Sequence, residues 1–260
     1  MARLCPLFSG STGNSYYIGS RSAGVLLDAG RSARQLEQAL KRCEVDPLAI
    51  QGILITHEHS DHISGVRVLA KKYKLPVFAS QGTLMAMESS LGEAERWVLE
   101  DRLELAGMEI TPFATPHDSA QSLGFRITTA DHREFALATD LGEVTPCVRE
   151  HLLGAEFVVV ESNHDKAMLQ GGPYPYYLKR RILSGRGHLS NGDCAAFLPE
   201  LVRAGTKRIL LAHLSRENNT PTLAGETALA ALTAAGCRPE TDFRLEVAAP
   251  DNPEGKTIIF

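Results

Sequence analysis

The stretch Thr56-His57-Glu58-His59-Ser60-Asp61-His62 decides the fold. It comes directly after a short apolar run at 52–56, which predicts a buried strand, and before residues 63–74, whose helical spacing is closed by Pro76. Because residues two apart in extended backbone point the same way, His57 and His59 can bind one ion, while Asp61 and His62 turn towards a second. The alternative reading is a solvated polar turn.

Composition describes an ordinary globular chain. It has 260 residues, 43% of them hydrophobic, with 27 Lys and Arg against 31 Asp and Glu, a formal net charge of -4. This balance excludes the overall basic surface of many nucleic-acid binders, so any contact with phosphates must be local. Disorder and collagen-like sequence are excluded as well.

The cysteines and the N-terminus predict a compartment. Five cysteines lie dozens of residues apart with no CxxC pair, which favours neither a disulfide framework nor a thiolate metal cluster. No run approaches the 18 apolar residues that a spanning helix needs, and the first residues do not resemble a secretory leader. We therefore expect a cytoplasmic protein without a membrane contact.

The order of predicted elements indicates one layered α/β domain over residues 1–260. Short strands come first, then strands alternate with helices, then a block of β segments fills 102–139, and the alternation returns with helices at 190–204 and 222–235. We expect a four-layer α/β/β/α sandwich of two mixed β-sheets. Periodicity alone would not separate it from another layered α/β fold.

The HxHxDH pattern resembles the signature of the metallo-β-lactamase fold superfamily of two-metal hydrolases. That superfamily also has an earlier Asp, and then a His, an Asp and a His at later strand ends. Candidates follow predicted strands in the expected order: Asp28, His117, Asp140 and His213. The resemblance therefore covers nearly the whole chain and implies the same sandwich fold.

The resemblance also implies a ligand set. One ion would be bound by His57, His59 and His117, the other by Asp61, His62 and His213, with Asp140 bridging them. Asp28 would orient a metal-bound imidazole. The cofactors would be two divalent ions, Zn²⁺ or Mn²⁺, whose charge favours an anionic substrate. Asp28 and Asp140 could instead merely end strands, and His117 or His213 could be core histidines.

Four further segments resemble the WalJ/YycJ/VicX-like branch, which is described as 5′ exonucleases. They are Ser9-Gly10-Ser11-Thr12-Gly13-Asn14-Ser15, Glu161-Ser162-Asn163-His164-Asp165, Gly187-His188-Leu189-Ser190-Asn191 and His213-Leu214-Ser215-Arg216-Glu217-Asn218-Asn219-Thr220. All fall at predicted strand exits, where active-site loops gather. From them we predict substrate contacts by Ser11, Asn14, Asn163, His164, Asn191, Ser215 and Asn218.

Aromatic and basic residues are concentrated just before His188. The run Tyr174-Pro175-Tyr176-Tyr177-Leu178-Lys179-Arg180-Arg181 combines rings that can stack on bases with cations that can follow a phosphate backbone, so Lys179 and Arg180 are predicted to bind substrate. The alternative is an amphipathic helix that buries its tyrosines. His188 could donate a proton to a leaving oxygen, as a late-loop histidine does in the related ribonuclease Z enzymes, or could be a structural residue at a helix start.

These features predict a two-metal phosphodiesterase, a 5′-to-3′ exonuclease on single-stranded DNA or RNA. A metal-bridging hydroxide would attack phosphorus, Asp61 would accept the proton of the water, and His188 would be the acid; no covalent cofactor is expected. Two alternatives remain, a hydrolase of a small anionic ester, thioester or cyclic phosphodiester, and a non-catalytic metal-binding regulator. Polarity, native metal and oligomeric state stay open.

Overall fold

Two mixed β-sheets lie at the centre of the protein. The computed structural model describes residues 2–260, and within that range each sheet has seven strands. The first sheet contains β1 (Arg3–Phe8), β2 (Ser15–Gly19), β3 (Gly24–Leu27), β4 (Ile50–Leu54), β5 (Val77–Ala79), β6 (Arg96–Val98) and, from the far end of the chain, β14 (Ile258–Ile259). Its spatial order is β14-β1-β2-β3-β4-β5-β6, with β3 to β6 parallel.

The second sheet mirrors this arrangement. It contains β7 (Leu103–Leu105), β8 (Met108–Ala114), β9 (Leu123–Thr128), β10 (Glu134–Ala138), β11 (Phe157–Glu161), β12 (Arg208–Ala212) and β13 (Arg244–Val247). Its spatial order is β13-β12-β11-β10-β9-β8-β7. Strands β7 to β10 pair antiparallel, and β10 to β13 pair parallel. Each sheet thus has a parallel half whose strands end at one edge.

Helices cover the outer face of each sheet. They are α1 (Ala33–Arg42), α2 (Ser60–Ile63), α3 (Val66–Tyr73), α4 (Gln81–Ala86), α5 (Glu88–Leu91), α6 (Pro146–Leu152), α7 (Lys166–Gly171), α8 (Tyr176–Ile182), α9 (Asn191–Arg203) and α10 (Pro221–Ala234), with a 3₁₀ turn at Pro47–Ala49. Helices α1 and α3 bury apolar residues on the first sheet, and α6, α9 and α10 on the second. In residues 2–260, no helix is long and apolar enough to cross a membrane.

A third apolar cluster fills the space between the sheets. Tyr16 and Leu27 of the first sheet and Phe125 and Phe157 of the second belong to it, and all are essentially inaccessible to solvent. Burial on both faces explains why β3 and β11 are continuous apolar runs rather than alternating ones. The predicted α/β/β/α sandwich of two mixed sheets is therefore confirmed.

One predicted helix is divided in the structure. The spacing over 63–74 predicts a continuous helix, but α2 ends at Ile63 and α3 begins at Val66. Gly65 lies between them and donates its N–H to the carbonyl of Ala29 at 2.8 Å, and a Cβ at this position would lie 2.8 Å from the carbonyl oxygen of Arg31. This close approach of two loops separates the short helix that carries Asp61 from α3.

Candidate metal centre

The candidate site lies where strand ends of the two sheets meet. Asp28 follows β3, and residues 57–62 follow β4 in the first sheet. From the second sheet, Asp140 follows β10, Glu161 is the last residue of β11, and His213 follows β12. Carboxyl ends of parallel strands lie at the same edge of a sheet, so the topology brings together residues that are far apart in the chain.

Three imidazoles form one group. Nε2 of His57 lies 3.0 Å from Nδ1 of His59, and Nε2 of His117 lies 3.3 Å from the same atom. Two nitrogens that are each about 2.1 Å from one tetrahedral ion are about 3.4 Å apart. The spacing of these three nitrogens therefore fits ligands of a single ion, the set predicted for the first metal.

A second group adjoins the first. Asp61, His62 and His213 each bring a ligand atom within 4.8 Å of the others. Oδ2 of Asp61 lies 3.6 Å from Nε2 of His62 and 3.9 Å from Nε2 of His213. A carboxylate and two imidazoles converging in this way are a donor set suited to a divalent cation.

Asp140 lies between the two groups. Its Oδ2 is 3.3 Å from Nε2 of His62, and its Oδ1 is 3.8 Å from Nε2 of His117. That Oδ2, like Nε2 of His213, is buried and has no hydrogen-bond partner among the described residues. Buried polar atoms without a partner are costly, and a bound cation would compensate both. The residues present therefore fit the divalent ions that the sequence predicts.

Protein acceptors orient the imidazoles through their other ring nitrogen. Nδ1 of His62 lies 2.8 Å from Oδ2 of Asp28, whose two oxygens also accept bonds from the N–H and hydroxyl of Thr56. Nδ1 of His117 lies 3.1 Å from the carbonyl oxygen of Gly187. Such contacts fix the tautomer and direct Nε2 towards a metal. The structure thus puts Asp28 in contact with a predicted ligand.

Glu161 has a comparable position, and the sequence reasoning assigned it no role. Its Oε1 lies 2.9 Å from Nδ1 of His188 and 2.7 Å from Nδ1 of His213, and its Oε2 accepts the N–H groups of Leu141 and Leu189. With all these partners Glu161 orients two imidazoles rather than binding a metal. The available signal was a charged residue ending the apolar run of β11.

The surrounding imidazoles keep the carboxylates of Asp140 and Glu161 ionised. Burial opposes ionisation of Asp140, but the imidazoles of His213 and His62 lower its pKa well below the usual value. Burial also opposes ionisation of Glu161, yet the charge of His188 and the bonds from His188 and His213 lower its pKa to about 2. Where ionised carboxylates lie among imidazole nitrogens, a bound cation can take the place of the protons on those imidazoles.

The Ser/Gly-rich loop meets the cluster through a residue predicted to bind substrate. Asn14 is fully buried, and its Nδ2 lies 3.2 Å from Oδ2 of Asp61 and 3.0 Å from Nε2 of His62. It therefore positions two predicted metal ligands and presents no surface to a substrate. Ser11, in the same loop, is exposed.

Several other residues predicted to bind substrate are buried in a network between loops. Asn163 donates to the carbonyl of His213, and Asn191 is hydrogen-bonded to Asn219. Asn218 is inaccessible and bonds to Ser215. The amides of Asn163 and Asn191 thus bind strand-exit loops to one another, whereas Oδ1 of Asn218 has no partner among the described residues. The substrate contacts expected of Asn163, Asn191 and Asn218 stay predictions.

His164 and Ser215 differ from those amides. His164 is 1% exposed, and neither ring nitrogen has a hydrogen-bond partner among the described residues. Burial lowers its pKa to about 4, so the ring is neutral. Ser215 is half-buried at the start of the loop after His213. A substrate contact by Ser215 stays a prediction, whereas His164 has no accessible surface for one.

Comparison with known proteins defines the class. The model of the β-lactamase superfamily domain matches residues 24–214, a span that contains every residue of the two metal groups. The chain therefore belongs to the β-lactamase superfamily, in its metallo-β-lactamase fold, and is a metal-dependent hydrolase. The family and the His/Asp cluster together indicate divalent-metal binding.

The relatives are more specific than the family. The chain is 41% identical to exodeoxyribonuclease YycJ of Bacillus anthracis over 223 residues, 84% of each chain. It is 37% identical to exodeoxyribonuclease WalJ of Streptococcus pneumoniae over 97% of this chain and 96% of that one. Among solved structures, the metallo-β-lactamase fold protein YhfI of Bacillus subtilis superposes with a TM-score of 0.72 at 16% identity, covering 96% of this chain and 98% of that one.

Proposed function

We propose that the protein is a metal-dependent nuclease, a 5′-to-3′ exonuclease on single-stranded DNA or RNA that uses two divalent ions, Zn²⁺ or Mn²⁺. The two relatives named exodeoxyribonuclease support this class, since each aligns with most of the chain. The proposal treats residues 1–260 as one catalytic domain. All five cysteines are free thiols, which supports a cytoplasmic location.

One observation supports phosphodiester chemistry more than any other. His188 lies at the edge of the cluster with 19% of its side chain exposed. Its Nδ1 is hydrogen-bonded to Glu161, and the Nε2 of His188 has no hydrogen-bond partner among the described residues. Burial by itself would lower the pKa of His188, but the charge of Glu161 raises it above its ordinary value. A partly exposed imidazole that is hydrogen-bonded to a carboxylate beside a metal cluster suits protonation of a leaving alkoxide.

The residues divide the proposed reaction between them. His57, His59 and His117 would hold one ion, and Asp61, His62 and His213 the other, with Asp140 between the two groups. Divalent cations, when bound there, would supply polarisation of a phosphodiester and a water that is nucleophilic near neutral pH. Asp61, 24% exposed, accepts the proton of the attacking water. Nε2 of His188 donates a proton to the leaving oxygen, and Glu161 stabilises the charge on that ring.

Oligonucleotide digestion tests the proposal directly. Protein stripped of metal by a chelator is given Mn²⁺ or Zn²⁺ and incubated with single-stranded DNA, duplex DNA and RNA, labelled at either end, with and without a 5′ phosphate. We expect mononucleotide release from the 5′ end of single strands. Asp140→Ala should abolish hydrolysis while its circular dichroism spectrum matches that of the wild type.

A second measurement tests the role of His188. His188→Gln should slow hydrolysis of an oligonucleotide by about 10²- to 10⁴-fold. It should slow the p-nitrophenyl ester of thymidine 5′-phosphate far less, because that leaving group needs no proton. An equal loss on both substrates would contradict the acid role. Hydrolysis of small esters without any cleavage of oligonucleotides would contradict the nuclease itself.

A further inference from the structure

Helix α8 presents aromatic rings to solvent. Tyr176 and Tyr177 are each 75% exposed, and none of the residues in α8 is buried. An amphipathic helix that hides its tyrosines is therefore excluded. Exposed large apolar side chains occur singly on most proteins, but two adjacent rings on one short helix make a patch that points to a ligand.

Helix α8 has no buried apolar face, and polar contacts hold it in position. Nζ of Lys179 donates at 2.7 Å to the carbonyls of Gln170 and Gly172, at the end of α7. Arg181 forms an ion pair with Asp118. Lys179 thus has a structural role in addition to the substrate contact predicted for it. These two side chains anchor the helix, and its tyrosines remain exposed.

Arg180 completes the exposed face. At about 100° per residue, Tyr176, Arg180, Tyr177 and Arg181 follow one another within an arc of about 140°. The guanidinium carbon of Arg180 lies 5.9 Å from the ring centroid of Tyr176, and Arg180 has no hydrogen bond or ion pair with any described residue. We call Tyr176, Tyr177 and Arg180 the α8 surface. It combines two stacking rings with one cation that no protein group neutralises.

The α8 surface is next to the metal centre. Arg181 pairs with Asp118, and Oδ1 of Asp118 lies 3.4 Å from Nε2 of His117. In the loop that follows the helix, Arg186 donates to the carbonyl oxygen of His117 at 2.9 Å. Tyr177 is one helical turn, about 6 Å, before Arg181. A chain molecule that occupies the metal centre can therefore extend onto the tyrosines.

Another exposed aromatic provides a contrast. Trp97 on β6 is 53% exposed, but its neighbour Arg96 is neutralised by an ion pair with Glu88. Trp97 also lies on the outermost strand of the first sheet, whereas the residues of the metal centre follow β3 and β4. It supplies a matched control for the loss of an exposed ring.

We propose that the α8 surface binds the bases and backbone of the single strand whose end occupies the metal centre, with Tyr176 and Tyr177 stacking on bases and Arg180 contacting phosphate. The proposal rests on the proposed nuclease function, and it assigns the binding of the strand to helix α8. Stacking tolerates any base sequence because every base has a π-face, and the surface therefore fits an exonuclease that must pass along a strand.

Binding is measured apart from cleavage. The probe is a fluorescein-labelled oligothymidylate with phosphorothioate linkages, followed by fluorescence anisotropy. We expect Tyr176→Ala/Tyr177→Ala to raise Kd about 10- to 100-fold, and Tyr176→Phe/Tyr177→Phe and Trp97→Ala to stay within about 2-fold of the wild type. Arg180→Gln should reduce the slope of log Kd against log salt by about 0.7, the value for one phosphate contact on a single strand.

The outcomes separate this inference from the proposed function. The content of bound metal, measured by mass spectrometry, should be the same in every α8 variant as in the wild type. Wild-type affinity in the alanine pair, in a protein that degrades single strands, would overturn the α8 proposal alone. Absence of oligonucleotide hydrolysis by the wild type would overturn the nuclease function. If the alanine pair lost binding to phosphatidylglycerol vesicles while keeping that to the oligonucleotide, the surface would belong to a membrane.

Discussion

Three strand-exit residues at the site adopt a backbone conformation that is unfavourable for them. Asp28, Asp140 and His213 have φ of 59°, 56° and 55°. The left-handed region costs a residue with a side chain about 1–2 kcal/mol, and such strain is kept where the side chain has a task. Glycine would relieve the strain at each position but would remove a carboxylate or an imidazole from the centre. All three side chains lie in the candidate metal centre or contact one of its imidazoles.

At the same scale, Glu161→Gln tests the orientation of two imidazoles. The amide nitrogen must face either the two N–H groups now bound by Oε2 or the Nδ1 atoms of His188 and His213. The first leaves buried donors unpaired, at about 1–3 kcal/mol, and the second favours the wrong tautomer of both rings. We expect kcat to fall about 10- to 100-fold, with loss of bound metal measured by mass spectrometry. Glu143 has an exposed carboxylate near the loop that leads to His188, and Glu143→Gln should behave as wild type. Equal activity in both variants would contradict the assignment.

At the scale of elements, the same substitution has opposite effects in a helix and in a loop. Gly225 lies within α10, where a Cβ would meet only Cγ2 of Val247 at 3.6 Å. Gly225→Ala should stabilise the protein by about 0.5–1 kcal/mol, because glycine weakens a helix interior. At Gly30 a Cβ would lie 1.7 Å from the carbonyl oxygen of Asp61 and 2.5 Å from the amide nitrogen of Asn14.

Gly30→Ala must therefore separate the β3 exit from α2, the short helix that carries Asp61. We expect a lower midpoint of urea unfolding and weaker metal binding, whereas Gly225→Ala should raise the midpoint and leave hydrolysis unchanged. Urea titration followed by circular dichroism gives both values. If Gly30→Ala changed neither the urea midpoint nor metal binding, the β3 exit and α2 could move apart without consequence.

At the scale of the whole molecule, the metal centre joins the two sheets. His57, His59, Asp61 and His62 come from the first sheet, and His117, Asp140 and His213 from the second. Each predicted ion takes ligands from both sheets, so bound metal stabilises the packed sandwich over the unfolded chain by mass action. At a free metal concentration of about 100 Kd the gain is about 2.7 kcal/mol.

Chelation should therefore lower Tm by about 5–10 °C, a shift that added Mn²⁺ or Zn²⁺ reverses. Differential scanning fluorimetry with and without chelator measures it. Asp140→Ala should have a much smaller shift because both ions lose a ligand. A wild-type Tm that does not respond to chelator would argue against the joining of the sheets by metal.

The extent to which the sequence predicts the structure is clearest at the HxHxDH motif and at helix α8. Periodicity located β4, α9 and α10 to within two residues, because a buried strand and an amphipathic helix each leave an apolar pattern in the sequence. It missed β5 and β6, which have three residues each and are too short for a pattern to develop. The pattern around α8 fitted both a buried and an exposed face.

The sequence by itself determined the layered α/β class, and it predicted the donors of the candidate metal centre because imidazoles and carboxylates at strand ends have few other reasons to be grouped. The tertiary structure alone decided which polar residues serve the site. It placed Glu161 between His188 and His213, put Asn14 behind Asp61, buried Asn191 and Asn218 between loops, and left Tyr176 and Tyr177 in solvent. Burial depends on which loops pack together, and contacts between residues dozens of positions apart leave no local pattern in the chain.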